Sequence, residues 1–299
     1  MQQRESHGGI YLVDLESGET RLVVDWDDAD ISWEGRGQDR GLRGIALHAD
    51  HAYVAASDEI FVYDRDFGIV KSFRNPYLKH CHEIHACGTR LLVTSTGFDS
   101  VLIFDLLQER FIRGYCIRRQ AAASLALDFR VFDPGLPGGP APGDSVHVNN
   151  VFQAGHRIGV CGTGLRNLLY IADGRLVEGP PVPRGTHNAR PYGDGILAND
   201  TAASRLALFD RNGALVKSIP AVRYREDDLL MAHLPRDHAR QGFTRGLCVA
   251  EDDRVIGGTS PSTISLYDLR TSSIVKSVNL TMDIRNSVHG LEIWPHPLR

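Results

Sequence analysis

A short apolar strand ending in aspartate recurs six times along the 299-residue chain. The copies are IYLVD closing on Asp14, IFVYD on Asp64, VLIFD on Asp105, LYIAD on Asp173, LALFD on Asp210 and ISLYD on Asp268. After most of them comes a turn and a second strand, as in GIVKSF (68–73), GALVKSI (213–219) and SSIVKSV (272–278). Before most of them lies another, as in AYVAAS (52–57), RLLVTST (90–96) and RVIGGTS (254–260). One more precedes each of those, including RGIAL (43–47), HEIHA (82–86), NNVFQ (149–153), HNARPY (187–192) and RGLCV (245–249). Four short strands joined by tight turns make one propeller blade. High β-branched and aromatic content, with turn residues every few positions, favours strands throughout. The expected fold is all-β: residues 1–299 as one six-bladed β-propeller domain. VHGLEIW (288–294) aligns with the first strands, and its pairing with the N-terminal strands would close the ring and leave no open edge. Residues 1–7 alone remain to supply that blade's second strand.

Three long connections interrupt the repeat, at about 114–145, 221–241 and 25–40. All run from the last strand of one blade to the first of the next, so they are expected on the face where first strands begin, as a lid. The stretch 225–234 is expected to form a short helix.

Composition narrows the class. A hydrophobic fraction of 42% supplies a sizeable core, and a formal charge of −4 without a basic block argues against nucleic acid as a partner. Residues 1–9 are polar, with no secretory signal, and no apolar run approaches the roughly 18 residues that span a membrane. The chain is expected to be cytoplasmic, with no membrane partner. Its five cysteines, without a CxxC pair, read as free thiols on strands.

At the level of architecture, the whole chain resembles the calcium-dependent lactonase propellers of the gluconolactonase and paraoxonase type. That resemblance implies calcium held by carboxylate and amide oxygens, for which Glu83, Asn149, Asn199 and Asp200 are the available residues. The equivalent first-strand positions here are mostly His or Arg, which departs from the lactonase pattern. Four-histidine iron sites occur on the larger, seven-bladed carotenoid-cleaving oxygenases, whose blade count this chain does not match.

Aligned at the starts of the innermost strands, six positions read Arg43, His82, Asn149, His187, Arg245 and His289. Residues two apart on a strand share a face, which puts His147 beside Asn149. In a propeller these positions line the central channel. His82, His187 and His289 come from alternate blades, so three imidazoles would converge with one side open, as a catalytic metal requires. Glu83 or Glu292 would fix the ring tautomers from behind. Arg43 and Arg245 would flank the centre, where a planar guanidinium suits carboxylate or phosphate, with Asn149 bordering the open side. His147, Glu83 and Asp200 are the candidate acid–base residues.

These residues point to a metal-dependent enzyme acting on a small anionic molecule. The first expectation is a three-histidine non-haem iron oxygenase, an oxidoreductase. One alternative is a zinc- or manganese-dependent lyase or hydrolase. Another is a non-catalytic ligand-binding or scaffold propeller.

Overall fold

Alternating β-branched and aromatic residues, cut every few positions by turn residues, leave no stretch with a helical period, and the structure follows suit. A computed structural model of the protein describes residues 8–26, 41–121, 124–235 and 239–296. Among them the regular structure is strand, apart from two single 3₁₀ turns, Thr96–Phe98 and Glu226–Asp228. The short helix expected over 225–234 reduces to the second of these. No helix is long and apolar enough to cross a membrane. The expected loop at 25–40 lies almost wholly outside the described residues, as do residues 1–7.

The chain packs as two compact units, Met1–Glu34 with Thr186–Arg299, and Gly35–Gly185. The first opens with a two-stranded hairpin, β1 (Gly9–Val13) and β2 (Thr20–Asp25).

The 35–185 unit holds three antiparallel meanders in chain order. The first is β3 (Ile45–His48), β4 (His51–Ala56), β5 (Glu59–Tyr63) and β6 (Ile69–Arg74). The second is β7 (Ile84–Cys87), β8 (Arg90–Ser95), β9 (Ser100–Asp105), β10 (Arg110–Arg119) and β11 (Leu127–Phe132). The third is β12 (Val148–Ala154), β13 (Arg157–Gly162), β14 (Asn167–Ala172) and β15 (Arg175–Pro181).

The other unit continues with two more. One is β16 (Ala189–Tyr192), β17 (Gly195–Asp200), β18 (Arg205–Phe209) and β19 (Leu215–Pro220). The last is β20 (Arg245–Val249), β21 (Arg254–Thr259), β22 (Thr263–Asp268) and β23 (Ser273–Asn279). These sheets are blades, and the fold class is all-β and propeller-like.

Five complete blades are present among the described residues, not six. Segment 288–294 is not a strand and β1–β2 stays two-stranded. The insertion at 114–145 is not a loose lid either. Its first half lengthens β10 and adds β11 as a fifth outer strand, paired from Gly114–Phe132 to Arg119–Leu127. Its Pro/Gly-rich half is pinned down: the Tyr77 hydroxyl donates to the Leu136 carbonyl and accepts from the Gly139 amide.

Apolar faces of adjacent blades form the core. Ile60, Val62, Leu91, Val93 and Phe104 fill the layer between the first two blades. Ile103, Ile117, Val148, Val160 and Leu169 fill the next. In the other unit Leu197, Leu206, Leu247, Val255 and Tyr267 do the same. The strand-end aspartates Asp14, Asp64, Asp105, Asp210 and Asp268 cap the turns that follow. Asp64 Oδ1, for instance, accepts the amides of Asp66 and Gly68, both at 2.9 Å.

Candidate functional site

Each first strand begins with a bulge. In the first blade both Arg43 and Gly44 face Ala55: the Arg43 amide donates to the Ala55 carbonyl, and the Ala55 amide to the Gly44 carbonyl. Gly44 lets the next blade approach, since a Cβ there would stand 2.7 Å from Ile84 N and would collide with the His82 carbonyl. Arg43 thereby meets His82, its Nη1 donating to Nε2 at 2.6 Å. His82 Nδ1 lies 2.8 Å from Thr96 Oγ1 and 2.9 Å from the His80 carbonyl. The Thr96 hydroxyl spends its proton on the Val148 carbonyl at 2.5 Å. A carbonyl only accepts, so the ring proton sits on Nδ1 and Nε2 is the bare acceptor. Nη1 also lies 3.2 Å from Nδ1, but that nitrogen already donates to Thr96, so we assign the bond to Nε2.

His147 stands edge-on to His82, with ring centroids 5.1 Å apart. Its Nδ1 donates to Asp144 Oδ2 at 2.9 Å. Its backbone is left-handed, at φ 54°. The preceding residues are clamped by the buried carboxylate of Asp99, which accepts the Ser145 amide and hydroxyl, each at 2.8 Å, and the Val146 amide at 3.0 Å. Burial pulls the Arg43 guanidinium down to about 10, still protonated at neutral pH. Burial first, then the charges of Arg43 and Lys79, lowers the His80 pKa, so His80 stays neutral there. Glu83, expected as an acid–base residue, accepts a hydrogen bond from Asn150 Nδ2 and ties β7 to β12.

The other unit repeats the device. The Arg245 amide end of β20 is bulged at Gly246, whose φ is +71°. Arg245 Nη1 bonds His289 Nε2, while His289 Nδ1 donates to the Ser287 carbonyl at 3.0 Å. His187 Nδ1 lies 3.0 Å from Thr201 Oγ1, which donates to the Thr244 carbonyl at 2.7 Å. Around the Phe243 ring gather His187 edge-on at 5.0 Å, the Arg245 guanidinium at 4.4 Å and that of Arg240 at 5.1 Å.

The bulges correct one alignment. Val148 pairs with Gly162 and Asn150 with Cys161, so Asn149 is the extra residue, equivalent to Gly44, Glu83, Asn188 and Gly246. Val148 holds the position of Arg43, His82, His187 and Arg245. The tautomers are set by Thr96, Thr201 and the Ser287 carbonyl, in place of the expected Glu83 or Glu292. Thr96 and Thr201 each follow their histidine by fourteen residues, a spacing that could have found them.

Among the described residues, no three His, Cys, Asp or Glu side chains gather closely enough to hold a metal ion. The nitrogen that a metal would need on His82 and on His289 is the one accepting from Arg43 or Arg245, so these donors as arranged do not fit a three-histidine centre. Nor do the calcium candidates fit: Glu83 is bonded to Asn150, and Asp200 Oδ2 pairs with Arg205 Nε at 2.8 Å. Asn199 Nδ2 donates to the Gly246 carbonyl at 2.8 Å.

No family model matches this chain, and no curated protein matches it. Among solved structures, the computationally designed Ika8 protein is similar over 86% of this chain and 92% of its own, at 8% identity and a TM-score of 0.47.

Proposed function

We propose that each unit of this chain binds a small anionic molecule where the first strands of its blades begin, with Arg43 as the charge-recognising residue of the 35–185 unit and Arg245 that of the other. The supporting observation is the twice-built pair of a guanidinium on a neutral imidazole whose tautomer is fixed from behind. An imidazole acceptor carries no charge of its own and fixes the direction of the guanidinium, whose planar N–H donors are of the kind that recognise carboxylate or phosphate. The Phe243 ring with Arg240 and Arg245 adds a second concentration of positive charge in its own unit. This reading keeps the anionic ligand of the sequence-based expectation and gives the histidines a holding role instead of a metal-binding one. The cysteines found free, Cys81, Cys87, Cys116, Cys161 and Cys248, suit a cytoplasmic setting.

We also take β1–β2 and residues 287–294 as an incomplete sixth blade. Support comes from a repeated strap. Lys71 bonds Glu109, Lys217 Nζ donates to the Leu269 carbonyl at 2.6 Å, and Lys276 bonds the Glu16 carbonyl. Each lysine lies on a blade's outer strand and reaches the outer turn of the following element, so the hairpin takes a blade's place after β23. Val288 meets Gly258, where a Cβ would lie 2.5 Å from the valine Cβ, as a following first strand would.

The test is calorimetric titration of the untagged protein with inorganic phosphate, citrate and malate, alongside metal analysis. Binding that Arg43→Met or Arg245→Met weakens at least about tenfold is expected. Stoichiometric iron, zinc or manganese lost on His82→Ala, or no anion binding at all, would overturn the reading.

A further inference from the structure

We infer that the outer edge of β11 is an interface for a second copy of this chain, the two β11 strands pairing antiparallel about a two-fold axis at Phe129. β11 is the fifth strand of its blade, and no strand lies beyond it among the described residues. Its pairing with β10 decides which of its backbone groups face outward. The Gln120 amide donates to the Ala126 carbonyl at 3.1 Å, and the register then runs unbroken from Arg119–Leu127 to Gly114–Phe132. Bonded and non-bonded pairs alternate along an antiparallel ladder. Asp128 and Arg130 therefore spend their backbone groups on β10, while those of Leu127, Phe129 and Val131 point to the outer edge. A row of such groups is a template for another strand.

The outer strands of the other complete blades are protected against such pairing. Lys71 lies on β6, Pro180 and Pro181 on β15, Lys217 and Pro220 on β19, and Lys276 on β23. Lysine and proline are the devices that block edge-to-edge contact, and β11, with the sequence LDFRVF, has neither. What it has is Asp128 and Arg130, both exposed, opposite in charge and on one face of the strand. An antiparallel pair centred on Phe129 sets Asp128 of each copy against Arg130 of the other. Sliding by two residues would set Asp128 against Asp128 or Arg130 against Arg130, and like charges directly opposite repel. Sliding by one would set each outward-facing residue against one that faces β10. One register alone satisfies backbone and charge together. Both side chains have capacity left for it. Asp128 Oδ1 accepts from Gln120 Nε2 at 2.9 Å and Arg130 Nη2 donates to the Gly138 carbonyl at 2.6 Å, which leaves a carboxylate oxygen and further N–H groups. On the other face, the exposed Val131 comes opposite Leu127 of the second copy. That extends the apolar surface that Leu127 and Phe129 already anchor on the core layer of their own unit.

Sedimentation velocity of the full chain over a concentration series tests this. The parent is expected to pass from monomer to dimer at or below about 100 μM. Asp128→Arg leaves only positive charge on the edge and Arg130→Asp only negative, so each variant alone is expected to dimerise at least about tenfold more weakly. Mixed one to one, the two are complementary again and should recover the dimer as a heterodimer. Val131→Lys gives β11 the edge lysine that other blades carry and should likewise weaken the dimer. Hydrogen exchange on the parent supplies a readout that needs no variant. The amides of Leu127, Phe129 and Val131 should slow as concentration rises, whereas those of Asp128 and Arg130 are already slow in the monomer. A parent that stays monomeric throughout the series would overturn the inference. So would a dimer that all three variants leave at parent strength, since it would use another surface. Single variants that weaken the dimer but do not recover it on mixing would overturn the pairing about Phe129.

Discussion

The Thr96 hydroxyl donates to a carbonyl, so only its lone pairs are left for His82 Nδ1, and one proton's position decides what the far side of the ring offers. Thr201 does the same for His187. Aspartates at the strand ends are a second case of backbone groups dictating side-chain chemistry. The Asp268 carboxyl accepts the Thr271 and Arg270 amides, and that of Asp14 accepts those of Ser17 and Glu16, which holds both below the usual 3.8. A depressed carboxyl stabilises the fold fully above its unfolded pKa, and that contribution is lost as pH falls through the folded value. The urea midpoint is therefore expected to hold steady above about pH 5 and to decline below about pH 4. The Asp14→Asn, Asp268→Asn double variant should decline less steeply over the acid range. Parallel curves for variant and parent would show that these turns do not contribute to the acid limb.

At the scale of the element, the bulge at each first strand decides which side chains meet. Two glycines serve it for different reasons. Gly44 is required by crowding, because any Cβ there enters the backbone of residues 82–84. Gly246 is required by its φ of +71°, while its nearest neighbour, a Leu291 side chain, stands 3.2 Å from a notional Cβ and can yield. Gly44→Ala is expected to destabilise by about 1–3 kcal/mol through backbone displacement. Gly246→Ala is expected to destabilise by about 1–2 kcal/mol, chiefly through conformation, with the His289 carbonyl 3.3 Å from the added methyl as a tight contact. Urea unfolding with an unchanged m-value checks both. Only the first should also move the His82 ring resonances, since only there does the added methyl press on that residue. The bulges also mark where the sequence stops being legible. Strands ending in aspartate and their flanking partners were visible because each repeats a local pattern. An inserted residue leaves alternation on either side intact, so Asn149 aligned where Val148 stands. β11 escaped notice because it repeats nothing. His82, His187, Arg43 and Arg245 occupy equivalent places at the bulges that open the first strands. The pairing of Arg43 with His82, and of Arg245 with His289, was hidden because it depends on contacts between segments some forty residues apart in sequence.

At the scale of the whole molecule, blade-on-blade packing makes stability a matter of nearest neighbours. Within each unit the described blades meet through apolar layers, as in that of Leu247, Val255 and Tyr267 against Leu197 and Leu206. The last blade, β20–β23, has this support on its other side from unlike pieces. The hairpin β1–β2 is held by Lys276, and the terminal segment is held by Val288 on Gly258, Leu291 on Gly246 and His289 on Arg245. A chain truncated after Asn286 would lose those three contacts and keep every strand of the five complete blades. Its β20 and β21 would lie uncovered at Gly246 and Gly258, where no side chain of their own can shield the backbone. Native-state hydrogen exchange should then accelerate in β20 and β21 by more than about tenfold, the result of losing buried contacts that contribute 1–3 kcal/mol. Exchange in β7–β9, three blades away in the chain and in the other unit, should stay at its parent rate. Uniform acceleration across both units would mean that the segment supports the fold as a whole and is not the first strand of a partial blade. No change in β20 would mean that it supports nothing there.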